Sequence, residues 1–174
     1  MNHDVRLRPA TSADAAACAG IYRPYVEDTA VSFETEAPTG ADMAGRIGAS
    51  IRWFVAVDGQ GRVIGYAYAS RHRDRAAYRF ACDVSVYVGP GNAGRGVGRA
   101  LYAALLADLE RRGYRMACAG IALPNPASVG LHTAVGFRPV GTYERIGWKH
   151  GAWHDVLWMQ RALGGDGPPV DEPA

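Results

Sequence analysis

Five glycines fall within ten residues in Gly89-Pro90-Gly91-Asn92-Ala93-Gly94-Arg95-Gly96-Val97-Gly98. An apolar run ending at Val88 precedes them. Leu101, Leu105, Leu106 and Leu109 follow at helical spacing until Gly113. The pattern predicts a strand, a bare loop and a helix whose first turn carries almost no side chains. The first amides of a helix have no intrahelical acceptor and sit at the positive end of its dipole, so they suit a diphosphate. Arg95 and Arg99 add positive charge beside them. Taken alone, the run also fits a tight turn that needs small residues. Gly89, Gly91 and Gly94 spell GxGxxG, but a dinucleotide site expects a carboxylate at the end of the next strand. That strand ends Gly120-Ile121-Ala122-Leu123-Pro124, without one. No Gly-Lys-Ser/Thr follows the glycines, which argues against a nucleotide P-loop.

The remaining pattern alternates strands with helices. Val5 to Arg8 reads as a half-buried strand stopped by Pro9, and Thr11 with Asp14 as the cap of a helix over Ala13–Ile21 that Pro24 should end or kink. Residues 29–36 are too polar for core and too aromatic for a linker, and read as a functional loop. Thr39 caps a second helix reaching about Ile51. Trp53–Val57 and Val63–Tyr68 form a hairpin around Asp58-Gly59-Gln60-Gly61. A basic connection, Arg71-His72-Arg73-Asp74-Arg75, leads to a long strand from about Tyr78 to Val88. Met116–Leu123 is the next strand, and Asn125-Pro126 starts a helix running to Val135. Two final strands, about Phe137–Ile146 and Trp153–Arg161, flank Lys149-His150-Gly151. The order implies α/β with a mixed sheet, one domain over residues 1–163, and a mobile tail over 164–174.

Size and charge narrow the function. The 174 residues are 48% apolar, enough for one cored domain. A net charge of +2 gives no electrostatic reason to expect a nucleic-acid or membrane partner. No apolar run approaches a bilayer span, and Met1–Arg6 has no apolar signal segment, so a cytoplasmic location is expected. Three cysteines without CxxC spacing read as free thiols.

With these elements in place, the sequence resembles the GNAT superfamily of N-acetyltransferases, and within it the phosphinothricin/methionine sulfone acetyltransferase branch. The resemblance spans about Arg8 to Gln160. It is carried by Ile21-Tyr22, Tyr25-Val26-Glu27, Val31–Thr35, Arg75–Tyr78 and Ser85–Val88 before the glycine loop. It continues through Leu123–His132, Gly136-Phe137 and Lys149–Val156. The family implies a mostly antiparallel central sheet with helices on both faces, splayed between two central strands that hold acetyl-CoA as co-substrate. Val86, Tyr87 and Val88 would then offer backbone groups to pantetheine. Gly94, Arg95, Gly96, Val97, Gly98 and Arg99 would grip the pyrophosphate, and Asn125 and Ser128 would reach the cofactor from the last helix. The acceptor implied by this branch is a small amino acid analogue with an α-amine, and a homodimer is implied as well.

Amine acetylation requires a proton acceptor, because an ammonium has no lone pair, and a donor for the oxyanion. The resemblance puts a Glu three residues before Val86; this chain has Asp83, one methylene shorter, and a bridging water is expected to span the gap. His132 stands where many relatives carry a general-acid Tyr, and is assigned proton handling. Ala93 replaces the usual Gln or Arg, which removes a side-chain contact but no amide. Arg75 and Tyr78 would hold the acceptor's carboxylate. Phe33, Glu34 and Thr35 would line the opposite wall, with Lys149 and His150 closing the site. Arg73 and Arg79 read as solvated surface charge. His150, His154 and Asp155 fall on a hairpin, and thioester transfer needs no metal, so none is expected. An acyl-cysteine route through Cys82 is rejected because strand alternation turns it away from Asp83. The alternatives are another amine acceptor, including a protein N-terminus, or a non-catalytic acyl-CoA-binding module.

Overall fold

In the computed structural model, residues 5–169 and 172–174 are described. The start at Met1–Asp4, on which the expectation of no export signal partly rests, lies outside them. Strand β1 (Arg6–Pro9) leads through a 3-10 turn at Ser12–Asp14 into helix α1 (Ala15–Glu27). Asp14 opens that helix firmly. Its carboxylate accepts from both Arg8 guanidinium nitrogens at 2.8 and 2.7 Å and from the Thr11 amide at 2.8 Å. Pro24 does not end α1, which runs three residues further. One missing amide so near a helix end removes a single hydrogen bond, and the Asp28 amide still donates to the Pro24 carbonyl.

Helix α2 (Gly40–Ala49) begins at the expected cap, where Thr39 Oγ1 accepts from the Asp42 amide. The hairpin of β2 (Arg52–Val57) and β3 (Val63–Arg71) also matches expectation. The long strand expected from Tyr78 does not start there. Ala76–Tyr78 form a 3-10 turn and β4 covers Ala81–Val88. Helix α3 (Val97–Arg111), strand β5 (Met116–Ala122), helix α4 (Pro126–Ala134) and strands β6 (Arg138–Lys149) and β7 (Ala152–Ala162) complete the chain. The last hairpin is longer than its sequence pattern suggested, and β6 is irregular between Tyr143 and Gly147.

The seven strands lie in the order β1-β2-β3-β4-β5-β7-β6. Every neighbouring pair is antiparallel except β4 with β5. That parallel pair is short: Ala81↔Met116, Cys82↔Ala117 and Asp83↔Cys118, and then pairing stops. Beyond Asp83, β4 follows β3 while β5 follows β7, and the sheet opens between them. Helices cover both faces. Against one, Leu101, Tyr102, Leu105 and Leu109 of α3 pack on Cys82, Val84 and Met159. Against the other, Cys18, Tyr22 and Val26 of α1 pack with Met43, Trp53 and Tyr66. Burying each large side chain of this kind stabilises the fold by about 2 kcal/mol.

The tail is not separate from this body. Leu163 is buried, Glu172 pairs with Arg79 at 2.6 Å, and the Ala174 amide donates to the Arg112 carbonyl. Val170 and Asp171, within the expected tail, lie outside the described residues. Among the described residues, no helix is long and apolar enough to cross a membrane.

Candidate active site

The opening between β4 and β5 follows from strand alternation. The Gly89 amide donates to the Ile64 carbonyl, toward β3, whereas the Phe80 carbonyl accepts from Met116, toward β5. Even-numbered residues of β4 therefore aim their backbone groups at β5. Past Asp83 that neighbour has gone, so Val86 and Val88 present peptide groups to the gap. Tyr25 Oη donates to the Val88 carbonyl at 2.8 Å. Side chains alternate in the other sense: Val84 packs toward α3, while Asp83, Ser85 and Tyr87 point to the α1 side.

The glycine loop flanks one mouth of this gap. Gly94 and Gly96 have φ of 72° and 81°, the left-handed region that a β-carbon disfavours, and Gly96 caps α3 in that conformation. The Ala100 amide is the first to close onto the helix, donating to the Gly96 carbonyl, so the amides of Val97, Gly98 and Arg99 have no intrahelical acceptor. At Gly98 the need is steric. A Cβ there would lie 3.1 Å from Leu131 Cδ2 and 3.6 Å from Val88 Cγ2, so glycine lets α3, α4 and β4 converge at the gap. A diphosphate followed by a narrow arm fits this arrangement: amides at the loop, then a slot with free peptide groups. Asn125 borders α4's start, where its Oδ1 accepts from the Ser128 amide at 3.0 Å. Arg95 reaches Asn92 at 3.3 Å.

On the opposite face, a cleft of about 590 Å³ lies under the 29–36 loop. Tyr87, Gly120, Phe33, Glu34, Tyr143 and Trp158 are among its walls. The loop is strongly held. Tyr22 Oη meets Ser32 Oγ at 2.7 Å and donates to Glu34 Oε1 at 2.9 Å, and Arg46 grips both Glu34 oxygens at 2.7 and 2.8 Å. Arg46 and then Tyr22 hold the Glu34 carboxyl below its ordinary pKa, while burial pushes the Tyr22 phenol up to about 12. Glu34 thus lines the cleft as an occupied anion. Phe33 projects over Gly147 of β6, where a Cβ would overlap its ring.

Several expected substrate contacts are placed differently. Lys149 is buried and donates to the Val26 and Ser32 carbonyls, both at 2.6 Å, which ties β6 to the loop. Burial lowers its pKa. His150 Nε2 lies 3.2 Å from the Thr29 carbonyl. Both fasten the loop from behind and neither lines the cleft. Thr35 is exposed and likewise outside it. Arg75 lines a separate recess with Arg71, Arg79 and Glu172. Arg73, read from sequence as surface charge, borders both that recess and the pocket beside Asp83, and its guanidinium lies 5.9 Å from the Trp158 ring.

His132 is also redirected. It is buried, with Nδ1 2.7 Å from the Ser128 carbonyl and Nε2 2.9 Å from Tyr102 Oη. A carbonyl only accepts, so Nδ1 carries the proton and Nε2 accepts from Tyr102. Burial lowers the imidazole's pKa and favours this neutral form. The ring joins α3 to α4, with no nitrogen left for a substrate.

Asp83 stands where β4 and β5 part. Burial raises its pKa, and the hydrogen bond from His72 partly offsets this. His72 Nδ1 lies 2.7 Å from Asp83 Oδ1. This partner escaped sequence reasoning because His72 lies in the arginine-rich connection, although hairpin register places it one diagonal from Asp83 once Ser70↔Asp83 is known. Cys118 faces the same place, and His72, Asp83 and Cys118 have ligand-type atoms within 4.8 Å of one another. Among the described residues, His150, His154 and Asp155 form no such group; His154 meets the Lys149 carbonyl and Asp155 accepts from the Arg145 amide. Cys82 is fully buried on the other face, where burial pushes its thiol up to about 12.

A sheet parted beside a helix with free amides, opening through to a second cleft, defines an acyl-transfer protein of the splayed-sheet class. The profile of the acetyltransferase (GNAT) domain matches residues 7–158, and the chain belongs to that family and is an acetyltransferase. It is 38% identical over 166 residues to the phosphinothricin N-acetyltransferase of Streptomyces coelicolor, covering 92% of this chain and 97% of that one. It is 32% identical over 168 residues to the L-methionine sulfoximine/L-methionine sulfone acetyltransferase of Pseudomonas aeruginosa, covering 90% of this chain and 94% of that one. Among solved structures, a phosphinothricin acetyltransferase from Sinorhizobium meliloti in complex with acetyl-CoA superposes with a TM-score of 0.92 at 38% identity, over 97% of this chain and 95% of that one.

Proposed function

We propose that this protein moves the acetyl group of acetyl-CoA directly to the α-amine of a small amino acid analogue, of the phosphinothricin or methionine sulfone and sulfoximine type. The observation that carries this reading is the end of β4–β5 pairing at Asp83↔Cys118, with unpartnered loop amides on one side and the 590 Å³ cleft on the other. Acetyl-CoA would lay its pyrophosphate on the amides from Gly94 to Arg99 and its pantetheine along Val86 and Val88, within reach of Asn125 and Ser128. The thioester would then stand at the opening. The acceptor would enter beneath Phe33, with its amine toward Asp83 and its carboxylate or tetrahedral head toward Arg73 and Tyr78. Peptide N–H groups of β4 near Val88 would receive the oxyanion. A donor of this kind and three free thiols suit the cytoplasm.

The test is CoA release with acetyl-CoA against phosphinothricin, methionine sulfone, methionine sulfoximine and ordinary amino acids. Turnover confined to the analogues supports the proposal. Binding of acetyl-CoA with no turnover on any amine refutes it in favour of a non-catalytic acyl-CoA-binding module. Asp83→Ala is expected to lower turnover at least about tenfold at neutral pH, within the usual contribution of a positioned proton acceptor, and to leave acetyl-CoA binding unchanged by calorimetry. Arg73→Ala should raise the acceptor KM far more than that of acetyl-CoA. Equal changes for both substrates would place the acceptor elsewhere.

A further inference from the structure

Asp83 is a short carboxylate and it is already engaged. The His72 ring stands against it with Nδ1 at 2.7 Å, and the two side chains are 17% and 29% exposed. An ionised carboxylate can only accept, so that contact places the proton on Nδ1 and leaves Nε2 with its lone pair. Nε2 has no hydrogen-bond partner and is not a sealed, unsatisfied atom among the described residues. His72 lines a pocket of about 280 Å³ whose walls include Tyr143 and Trp158, which also border the acceptor cleft. The Trp158 ring lies 6.3 Å from the imidazole, and the Tyr78 ring 5.7 Å away, both edge to face. The imidazole is therefore held on three sides, beside the point where β4 and β5 part.

We infer that His72 is the catalytic base, and that Asp83 serves it by fixing the Nδ1–H tautomer and facing the positive charge that develops on the ring. The inference rests on the acetyl-transfer reading above and supplies its proton acceptor. The histidine ring spans the distance lost with the shorter carboxylate, so no bridging water is needed. The acceptor's ammonium gives one proton to Nε2, and its nitrogen lone pair attacks the thioester carbonyl. A C–N bond forms as the C=O π pair moves to oxygen. When that pair returns, the C–S bond breaks and CoA leaves as thiolate. The nitrogen's surplus proton goes to the thiolate, giving the amide and free CoA. The imidazolium releases its proton to solvent, so one proton is set free per turnover. The same division of labour between an imidazole and its orienting carboxylate operates in hydrolytic triads.

Titratable or charged groups facing the ring are Asp83 from β4, Cys118 from β5, Tyr143 from β6, Tyr78 from the 3-10 turn and Arg73 from its own connection. His72→Gln keeps a donor for Asp83 but cannot take a proton. It is expected to lower kcat/KM for the acceptor about 100-fold, to leave the KM of acetyl-CoA unchanged, and to alter the pH profile of kcat/KM. Added imidazole should restore part of the rate in His72→Ala. A glutamine variant with the rate and pH profile of the wild type overturns the proposal and returns proton abstraction to Asp83 alone. Acetylated Cys118 in enzyme mixed with acetyl-CoA alone, detected by intact mass, would overturn it in favour of a thioester intermediate. Nitrogen-15 NMR of the imidazole needs no acceptor. A protonated Nδ1 with bare Nε2 at pH 8, changed in Asp83→Asn, supports the dyad even if every amine in the panel fails, whereas an Nε2–H tautomer in the wild type refutes it.

Discussion

Gly147 shows how much of this site depends on atoms that are absent. A β-carbon at that position would overlap the ring of Phe33, yet its backbone φ is ordinary, so the constraint is steric. Phe33 cannot yield easily, because Ser32 and Glu34 on either side of it are held by Tyr22, Arg46 and Lys149. Gly147→Ala is expected to turn the ring into or out of the cleft and raise the acceptor KM several-fold. The acetyl-CoA KM should stay constant, since the glycine loop lies across the sheet. Equal kinetics in wild type and variant would show that Phe33 does not shape the acceptor wall. Glycine at 147 could not be read from sequence, because its requirement comes from a residue more than a hundred positions away. Asp83 was legible through the family resemblance, three residues before Val86. Its partner His72 was not, because a histidine between two arginines looks like surface until the hairpin register is known. Lys149 misled for the opposite reason: a lysine near a site suggests a substrate cation, whereas this one satisfies two buried carbonyls.

At the scale of elements, patterning was most legible where one residue type leaves few options. The loop glycines, the Thr39 cap, the Asn125 cap and the α3 leucines all mark what the structure contains. A boundary failed where a local rule met the rest of the helix, at Pro24. Expected joints between elements can be tested through the Arg8–Asp14 pair, which fastens β1 to the start of α1. The hydrogen bonds from Arg8 hold the Asp14 carboxyl below its ordinary pKa, against the opposing effect of burial. A carboxyl depressed in the folded state stabilises above the unfolded-state value near 4, and that contribution is lost as pH falls through the lower folded-state value. Arg8 is partly exposed, so solvent screening reduces the pair's worth, and Asp14→Asn should cost about 1–2 kcal/mol at pH 7. Urea unfolding at pH 7 and again near pH 3 checks the sign. The gap between wild type and variant should narrow on acidification, and a gap that widened would mean the carboxylate is not the stabilising species.

At the scale of the whole molecule, the last hairpin carries more apolar surface than a solitary domain needs. Val140, Tyr143, Ile146, Trp148 and Trp153 are all exposed on β6 and β7, with Trp148 at 60% and Trp153 at 51%. Trp148 and Trp153 are cross-strand partners with ring centroids 5.2 Å apart, so they present one surface. Contiguous aromatic surface of this kind marks an association site, and a self-complementary patch on a single chain most readily closes about a twofold axis. The protein should therefore sediment as a homodimer at micromolar concentration, and Trp148→Glu with Trp153→Glu should sediment as a folded monomer. A wild-type monomer at that concentration would remove the dimer. The patch is continuous with the site, since Tyr143 and Ile146 also line the acceptor cleft. A dimer formed through this patch would share the hairpin with the acceptor cleft. The monomeric variant should bind acetyl-CoA normally and show a raised acceptor KM, because the glycine loop stands away from β6 while the cleft wall does not. Loss of affinity for both substrates would instead mean that the two glutamates had disturbed the sheet itself.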